Sequence, residues 1–266
     1  MNQFVNINPD AKICSNVKID SFVTVEADVV IGDGTWIGAN AVIMNGSRMG
    51  KNCRIFPAAV IGGIPQDMKF QGEITTVEIG DNTSIREFVT VNRATKSRMK
   101  TVIGSNCLLM SSVHIGHDCN LGNNVIVSSA TGIAGEVNVG DWAIIGGMTA
   151  VHQFVNIGAH AFVGGASKVS KDVPPYIKAA RDPLSYAGIN SIGMRRRNYS
   201  IEKIEELKEI YRFIYQKGYN RSQAIAIIET EMPETPERNE IIHFVKTSKR
   251  GIIKGYFDKA NDEDVD

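Results

Sequence analysis

The stretch IGSNCLLMSSVHIGHDCNLGNN, residues 103–124, places an aliphatic side chain at every sixth position: Ile103, Leu109, Ile115 and Leu121. A period of six is neither the 3.6-residue helix nor the alternation of a long strand. It suits short strands joined by turns, each sending one aliphatic side chain toward a common axis. Followed outward in both directions, the phase extends from Ile7 to Val169, and 25 of its 28 slots hold Val, Ile, Leu or Met. Glycine often comes next, as at Gly32, Gly50, Gly104, Gly116, Gly122 and Gly140, where a backbone must turn with little side-chain hindrance. Three hexads close one triangular lap, so residues eighteen apart become vertical neighbours about 4.8 Å from each other. The spacing therefore predicts a coiled prism of parallel strands, about eight or nine laps and roughly 40 Å tall. Periodicity alone leaves its hand open.

Three slots break the pattern. Asp67 and Glu73 fall in GGIPQDMKFQGE and Ser97 in RATKSRMK, and both segments are expected to leave the prism as loops. Beyond Val169 the repeat stops at KDVPPY, where two prolines end a strand ladder. Helices follow. Ser200 is expected to cap a helix with Ile204, Leu207 and Ile210 on one face, Ser222 to begin a second, and Thr235-Pro236 to open a third. The predicted organisation is a β-helix over residues 1–175, a helical domain over 176–256 and a disordered acidic tail over 257–266.

Composition limits the function. The 29 basic and 29 acidic side chains balance, so nothing draws the protein to nucleic acid or acidic lipid. No apolar run is long enough to span a membrane, and no basic, apolar leader opens the chain, so a cytoplasmic protein is expected. Cys14, Cys53, Cys107 and Cys119 lie far apart without a C-x-x-C pair, which fits a reducing compartment and argues against a structural zinc.

The eighteen-residue lap turns spacing into geometry. His117, Gly135 and Gln153 should stack on one another. His117 sits in the outer half of its hexad, where an imidazole facing an external groove can take a proton from a hydroxyl at neutral pH. A glycine one rung above can offer a bare N–H to an oxyanion. Asp118 is the nearest group to hold the imidazole, provided a local turn brings adjacent side chains together. His114 reads equally as a locally bonded turn residue or a substrate contact, and His152 as scaffold or site. His160 and His243 read as structural. A zinc held by His114, His117 and His152 is a rival, although H-x-x-H on adjoining coil positions matches no metal pattern.

The repeat resembles the hexapeptide-repeat acyltransferases, which implies a left-handed parallel β-helix, mainly β overall. The blocks GGIPQDMKFQGE, IREFVTVNRAT, NCLLMSSVHIGHDC, IIGGMTAVHQF, VGGASKVSKDVPPY and GINSIGMRRR are more specific. In this order they resemble the UDP-N-acetylglucosamine O-acyltransferase family over essentially the whole chain. The resemblance implies a homotrimer with sites between neighbouring prisms, no cofactor and no metal. In them a 3-hydroxyacyl chain passes from acylated acyl carrier protein to the 3-position of a UDP-sugar, the first step of lipid A synthesis. It implies His117 as general base, Asp118 as its supporting carboxylate and Gly135 as the oxyanion donor. Asp67 and Lys69 match sugar and phosphate contacts, His152 an active-site histidine and Gln153 an acyl-chain contact, with His114 kept as a candidate substrate contact. Gly165 matches the position limiting chain length, and Asn190 and Arg196 the uridine end. The run Arg195-Arg196-Arg197, otherwise a solvated patch, then reads as an anion site.

The chain also departs from the family pattern. Asn92 stands where histidine is common, Glu136 replaces a histidine after the oxyanion glycine, and Ile192 replaces an acidic residue near the nucleotide. These changes bear on sugar and acyl positioning and on whether the acceptor is a hydroxyl or an amine. The related N-acyltransferase carries an extra N-terminal domain, for which a repeat starting at Ile7 leaves no space. An acetyl-coenzyme A acetyltransferase and a non-catalytic scaffold are the remaining alternatives; a scaffold gives no reason for the column of His117, Gly135 and Gln153.

Overall fold

A computed structural model describes residues 4–255; the expected tail at 257–266 lies outside them. Strands of mostly two residues build three parallel sheets, one for each wall of a triangular prism, and every third strand belongs to the same wall. The first wall has nine strands, the second eight, and the third eleven, counting those added beyond the repeat. The coil is the parallel β-helix that the hexads predict, with the left hand that the family resemblance implies. In-phase side chains fill the axis. Ile37, Ile55, Ile85, Leu109, Val127 and Ile145 are wholly buried above one another.

A second inward column lies two residues before the first, at Val23, Ala41, Ala59, Val89, Val113 and Thr131 on one wall. Each lap corner needs a smaller residue there, and three cysteines serve this purpose: Cys53, Cys107 and Cys119, all buried. Burial pushes the Cys119 thiol up to about 12, so it remains an inert packing group. Close packing between rungs makes truncation costly. Replacing Ile133, which is fully buried, with alanine should lower unfolding free energy by about 2–5 kcal/mol in a denaturant titration.

Elsewhere in the coil vertical neighbours are eighteen residues apart, as for Ile115 and Ile133. Val91, however, pairs with Ile61 thirty residues before it and with Ile115 twenty-four residues after it. One lap therefore carries twelve extra residues and the next six. Both extras are multiples of six, which is why the aliphatic phase passes through them unchanged. Both also leave at the same edge of the prism, between a first-wall strand and a second-wall strand: the loop 64–75 joins Val60–Gly63 to Thr76–Ile79, and the loop 93–99 joins Thr90–Asn92 to Lys100–Ile103.

The last lap is short. Val163 pairs with Ala179, sixteen residues later, across Pro174-Pro175, and Ser185–Ile189 folds back antiparallel on Ile177–Ala180. Four helices follow, at Ser191–Arg195 (α1), Ile201–Tyr215 (α2), Arg221–Glu231 (α3) and Pro236–Thr247 (α4). Ser200 and Thr235 cap α2 and α4 as expected, each accepting a backbone N–H three residues on. The start of α3 differs from expectation. Asn220, not Ser222, is its cap, and the Gln223 side chain returns the bond to complete a capping box. Tyr211 on α2 donates its hydroxyl to the Pro175 carbonyl at 2.7 Å, seating the helices on the last lap. Finally Lys254–Gly255 pairs with the Ser185–Ile189 strand. No helix among the described residues is long and apolar enough to cross a membrane.

Candidate active site

The edge that carries both loops also carries His117, one lap further along. The strand ends at Ile115 and the chain turns at His117-Asp118 before Asn120–Leu121 begins on the second wall. Asp118 has φ 60°, a left-handed conformation that aspartate tolerates at turns. This turn lets adjacent side chains meet. His117 Nδ1 lies 2.8 Å from Asp118 Oδ2. Because a carboxylate only accepts, Nδ1 carries a proton, and in the neutral ring Nε2 presents its lone pair.

Asp118 is fully buried, and the loop 93–99 supplies its other donors. The Thr95 N–H and hydroxyl reach Oδ2 at 3.0 and 2.7 Å, and the Arg98 N–H reaches Oδ1 at 2.9 Å. The longer loop closes over the other side of the imidazole. Asp67 Oδ2 stands 3.9 Å from His117 Nε2, while Asp67 Oδ1 accepts the Lys69 N–H at 2.9 Å. His117 is consequently only 8% exposed, more enclosed than an outward-facing ring on a bare prism. The two loops brace each other as well, since the Arg93 guanidinium lies over the Phe70 ring and Thr75 donates to the Ala94 carbonyl.

Gly135 occupies the next rung. A Cβ there would come within 2.5 Å of both Cε1 and Nε2 of His117. The glycine therefore touches the face of the imidazole, and its carbonyl accepts the Phe154 N–H at 3.3 Å, stacking the third rung above it. Gln153 belongs to that rung. His152 is exposed, with Nδ1 3.1 Å from the Gln153 carbonyl, which fixes that nitrogen as the donor. His114 projects from the first wall between Thr90 and Gly132. Its Nδ1 meets the Thr90 hydroxyl at 2.7 Å, and a Cβ on Gly132 would meet open space. Burial, reinforced by neighbouring His117, lowers the His114 pKa and keeps the ring neutral. Among the described residues no three metal-binding side chains converge.

Of the remaining residues singled out from the sequence, only Lys69 belongs to this edge. Lys69 is exposed on the long loop. Gly165 turns the edge between the third and first walls, and a Cβ there would meet the Gly147 carbonyl at 3.1 Å, a tight contact. Asn190 caps α1, accepting the Gly193 N–H, and donates to the His160 carbonyl at 2.9 Å, which places it at the edge between the second and third walls. Arg196 is exposed on the same side. Arg197, by contrast, is tied down over Trp142 and donates to its carbonyl at 3.0 Å. His160 is structural. Burial, with Arg197 beside it, pushes its pKa down to about 4 between the Trp142 and Tyr176 rings.

One edge thus gathers Asp67, His114, His117, Asp118, Gly135 and Gln153, while Gly165, Asn190 and Arg196 occupy the other two. The departures from the family pattern have local roles: Asn92 donates to the Ile64 carbonyl at 2.8 Å, rooting the long loop, and Ile192 is exposed on α1. The donors around Asp118, Thr95 and Arg98, were not singled out from the sequence. Their only sign was an off-phase loop that lengthens its lap by one hexad.

Comparison with known proteins agrees with this architecture. The family model described as UDP-N-acetylglucosamine O-acyltransferase, domain 2, matches residues 172–253, and the bacterial transferase hexapeptide model matches residues 28–63 and 100–135. An acyl-[acyl-carrier-protein]–UDP-N-acetylglucosamine O-acyltransferase from Chlamydia caviae is 44% identical over 98% of this chain and 94% of its own. One from Thermodesulfovibrio yellowstonii is 41% identical over 93% of this chain and 96% of its own. The crystal structure of a UDP-N-acetylglucosamine acyltransferase from Bacteroides fragilis superposes with a TM-score of 0.94 at 49% identity, covering 96% of this chain and 100% of that one.

Proposed function

The chain belongs to the acyl-carrier-protein-dependent UDP-N-acetylglucosamine O-acyltransferases, and from that premise we propose that the edge holding His117 is the catalytic half of its active site. The enzyme transfers an acyl chain from acyl carrier protein to UDP-N-acetylglucosamine, the opening step of lipid A biosynthesis. The acyl group is a 3-hydroxyacyl chain, the acceptor is the sugar 3-hydroxyl, and the reaction takes place in the cytoplasm. The observation carrying the residue assignment is the contact of Gly135 with an imidazole whose Nδ1 is bound to a buried Asp118 carboxylate.

The chemistry follows from these atoms. Nε2 of His117 takes the proton of the acceptor hydroxyl as its oxygen attacks the thioester carbonyl. Negative charge moves to the carbonyl oxygen, where the Gly135 N–H can meet it. Collapse of the tetrahedral intermediate breaks the C–S bond, and the imidazolium returns its proton to the departing thiolate. Asp118 stays ionised throughout and steadies the charged ring. Asp67 and Lys69 contact the sugar and phosphate, and His114, His152 and Gln153 line the path of the sugar and acyl chain.

The uridine residues Asn190 and Arg196 and the chain-length position Gly165 lie on other edges of the prism, so they complete the site from the neighbouring subunit of a homotrimer. Hybrid trimers test this reading. Chains carrying His117→Ala and chains carrying Arg196→Ala, each inactive or weak alone, should regain acylated UDP-sugar, read by mass spectrometry, when refolded together. A chain carrying both changes should not. No gain on mixing would place both groups in one chain's site and overturn the shared-site assignment.

A further inference from the structure

We propose that Thr95 and Arg98 are positioning residues for acyl transfer, and that the loop 93–99 serves to lock the Asp118 carboxylate and, through it, the proton-accepting form of His117. The inference rests on His117 being the general base. Asp118 is wholly buried, and such a carboxylate needs its acceptor sites filled. Of the four contacts it receives, three come from this loop: the Thr95 N–H and hydroxyl on Oδ2, and the Arg98 N–H on Oδ1. The fourth is the His117 Nδ1 itself.

The hydroxyl of Thr95 has no freedom to point elsewhere. It accepts the Ser97 N–H at 3.1 Å, which leaves its own proton directed at Asp118. Arg98 is anchored at its far end. Its guanidinium donates to Asn138 Oδ1 at 2.7 Å and to the Glu136 carbonyl at 3.3 Å, on the rung of Gly135. The anchor continues along the second wall, since Asn138 donates to Asn156 at 2.7 Å and Asn156 to Asp172 at 3.3 Å. The loop is therefore tied both to the carboxylate that orients the base and to the rung that carries the oxyanion donor.

Without this clamp Asp118 is free to rotate from Nδ1, the imidazole proton redistributes onto Nε2, and the nitrogen facing the acceptor can no longer take a proton. Such a loss lies in turnover, not in binding, because neither Thr95 nor Arg98 belongs to the proposed substrate contacts.

The test uses the full-length trimer, with acylated carrier protein and UDP-N-acetylglucosamine as substrates. Thr95→Val keeps the shape of the side chain but removes the hydroxyl; it should lower kcat by roughly ten- to a hundredfold, the range for losing a hydrogen bond to a charged group, with KM for both substrates within about twofold. Thr95→Ser should restore kcat to near the wild-type value. Nitrogen-15 spectra of histidine-labelled protein should show a bare His117 Nε2 in the wild type and a mixed tautomer in Thr95→Val. If Thr95→Val fails to fold, Arg98→Met, at a half-buried side chain, carries the same expectation of lost kcat at unchanged KM. Wild-type kcat in the folded Thr95→Val trimer, or a loss that appears in KM and is not recovered by Thr95→Ser, overturns the proposal. His117→Ala run in parallel separates the two readings: if it retains turnover the base assignment itself fails, and if it is inactive while Thr95→Val is normal only the positioning role fails.

Discussion

His117→Ala should lower kcat by about 10²- to 10⁴-fold, the range expected for removal of a positioned general base, while the oligomeric state and the melting transition stay nearly unchanged. The small structural cost follows from the surroundings of Asp118. That carboxylate keeps its bonds from the Thr95 N–H, the Thr95 hydroxyl and the Arg98 N–H when the imidazole is gone, so no buried charge is left without partners. The axis of the prism is also untouched, since the packing residue of that lap is Ile115. Turnover by stopped assay and unfolding by calorimetry check the two halves separately. Near wild-type kcat in this variant would remove His117 from the mechanism.

Gly135→Ala should act on activity and stability together. The backbone at Gly135 is outside the left-handed region, so alanine is conformationally acceptable there, and the penalty comes from contact alone. The added methyl would lie 2.5 Å from Cε1 and Nε2 of His117 and 3.0 Å from Cδ2. The ring cannot simply swing aside, because Asp118 holds Nδ1 and the Asp67 loop covers the opposite edge. Either the imidazole leaves its bond or the rungs separate, and a misplaced oxyanion donor costs about 10²- to 10³-fold in kcat. A double-mutant cycle isolates the cause. In the His117→Ala background the methyl has vacant space to enter, so Gly135→Ala should there cost little further stability and no further activity. Equal destabilisation in both backgrounds would place the strain in the backbone and not against the ring.

Much of the prism was legible in the sequence because one side chain per hexad must fill a narrow axis, and the aliphatic phase records that requirement directly. The same phase concealed the geometry of the insertions. Extra segments of twelve and six residues leave every later hexad in step, so Asp67, Glu73 and Ser97 mark where the chain departs from the coil without revealing that all three depart at the edge of His117. The second inward column was missed as well. Its residues are small and chemically mixed, with Cys107, Val125 and Ala143 in equivalent places, and only the shape of the corner unites them.

The column His117, Gly135, Gln153 followed from spacing alone, since no insertion falls between those laps. The pairing of His117 with Asp118 did not, because it depends on the left-handed turn at Asp118. The enclosure of the imidazole depends on loops whose course no periodicity describes. The starts of α2, α3 and α4 were read to within a turn, whereas the five-residue α1 was not anticipated. The choice between Asn220 and Ser222 was decided by Gln223, which completes a capping box only with the former.

The acceptor's position decides whether this edge does the chemistry. A crystal structure of the trimer with UDP-N-acetylglucosamine bound should place the sugar 3-hydroxyl about 2.6–3.2 Å from His117 Nε2, with Asp67 drawn onto the sugar and Asn190 and Arg196 of the adjoining subunit at the nucleotide. A sugar bound with its 3-hydroxyl beyond reach of Nε2, or on an edge that lacks His117, would contradict the account.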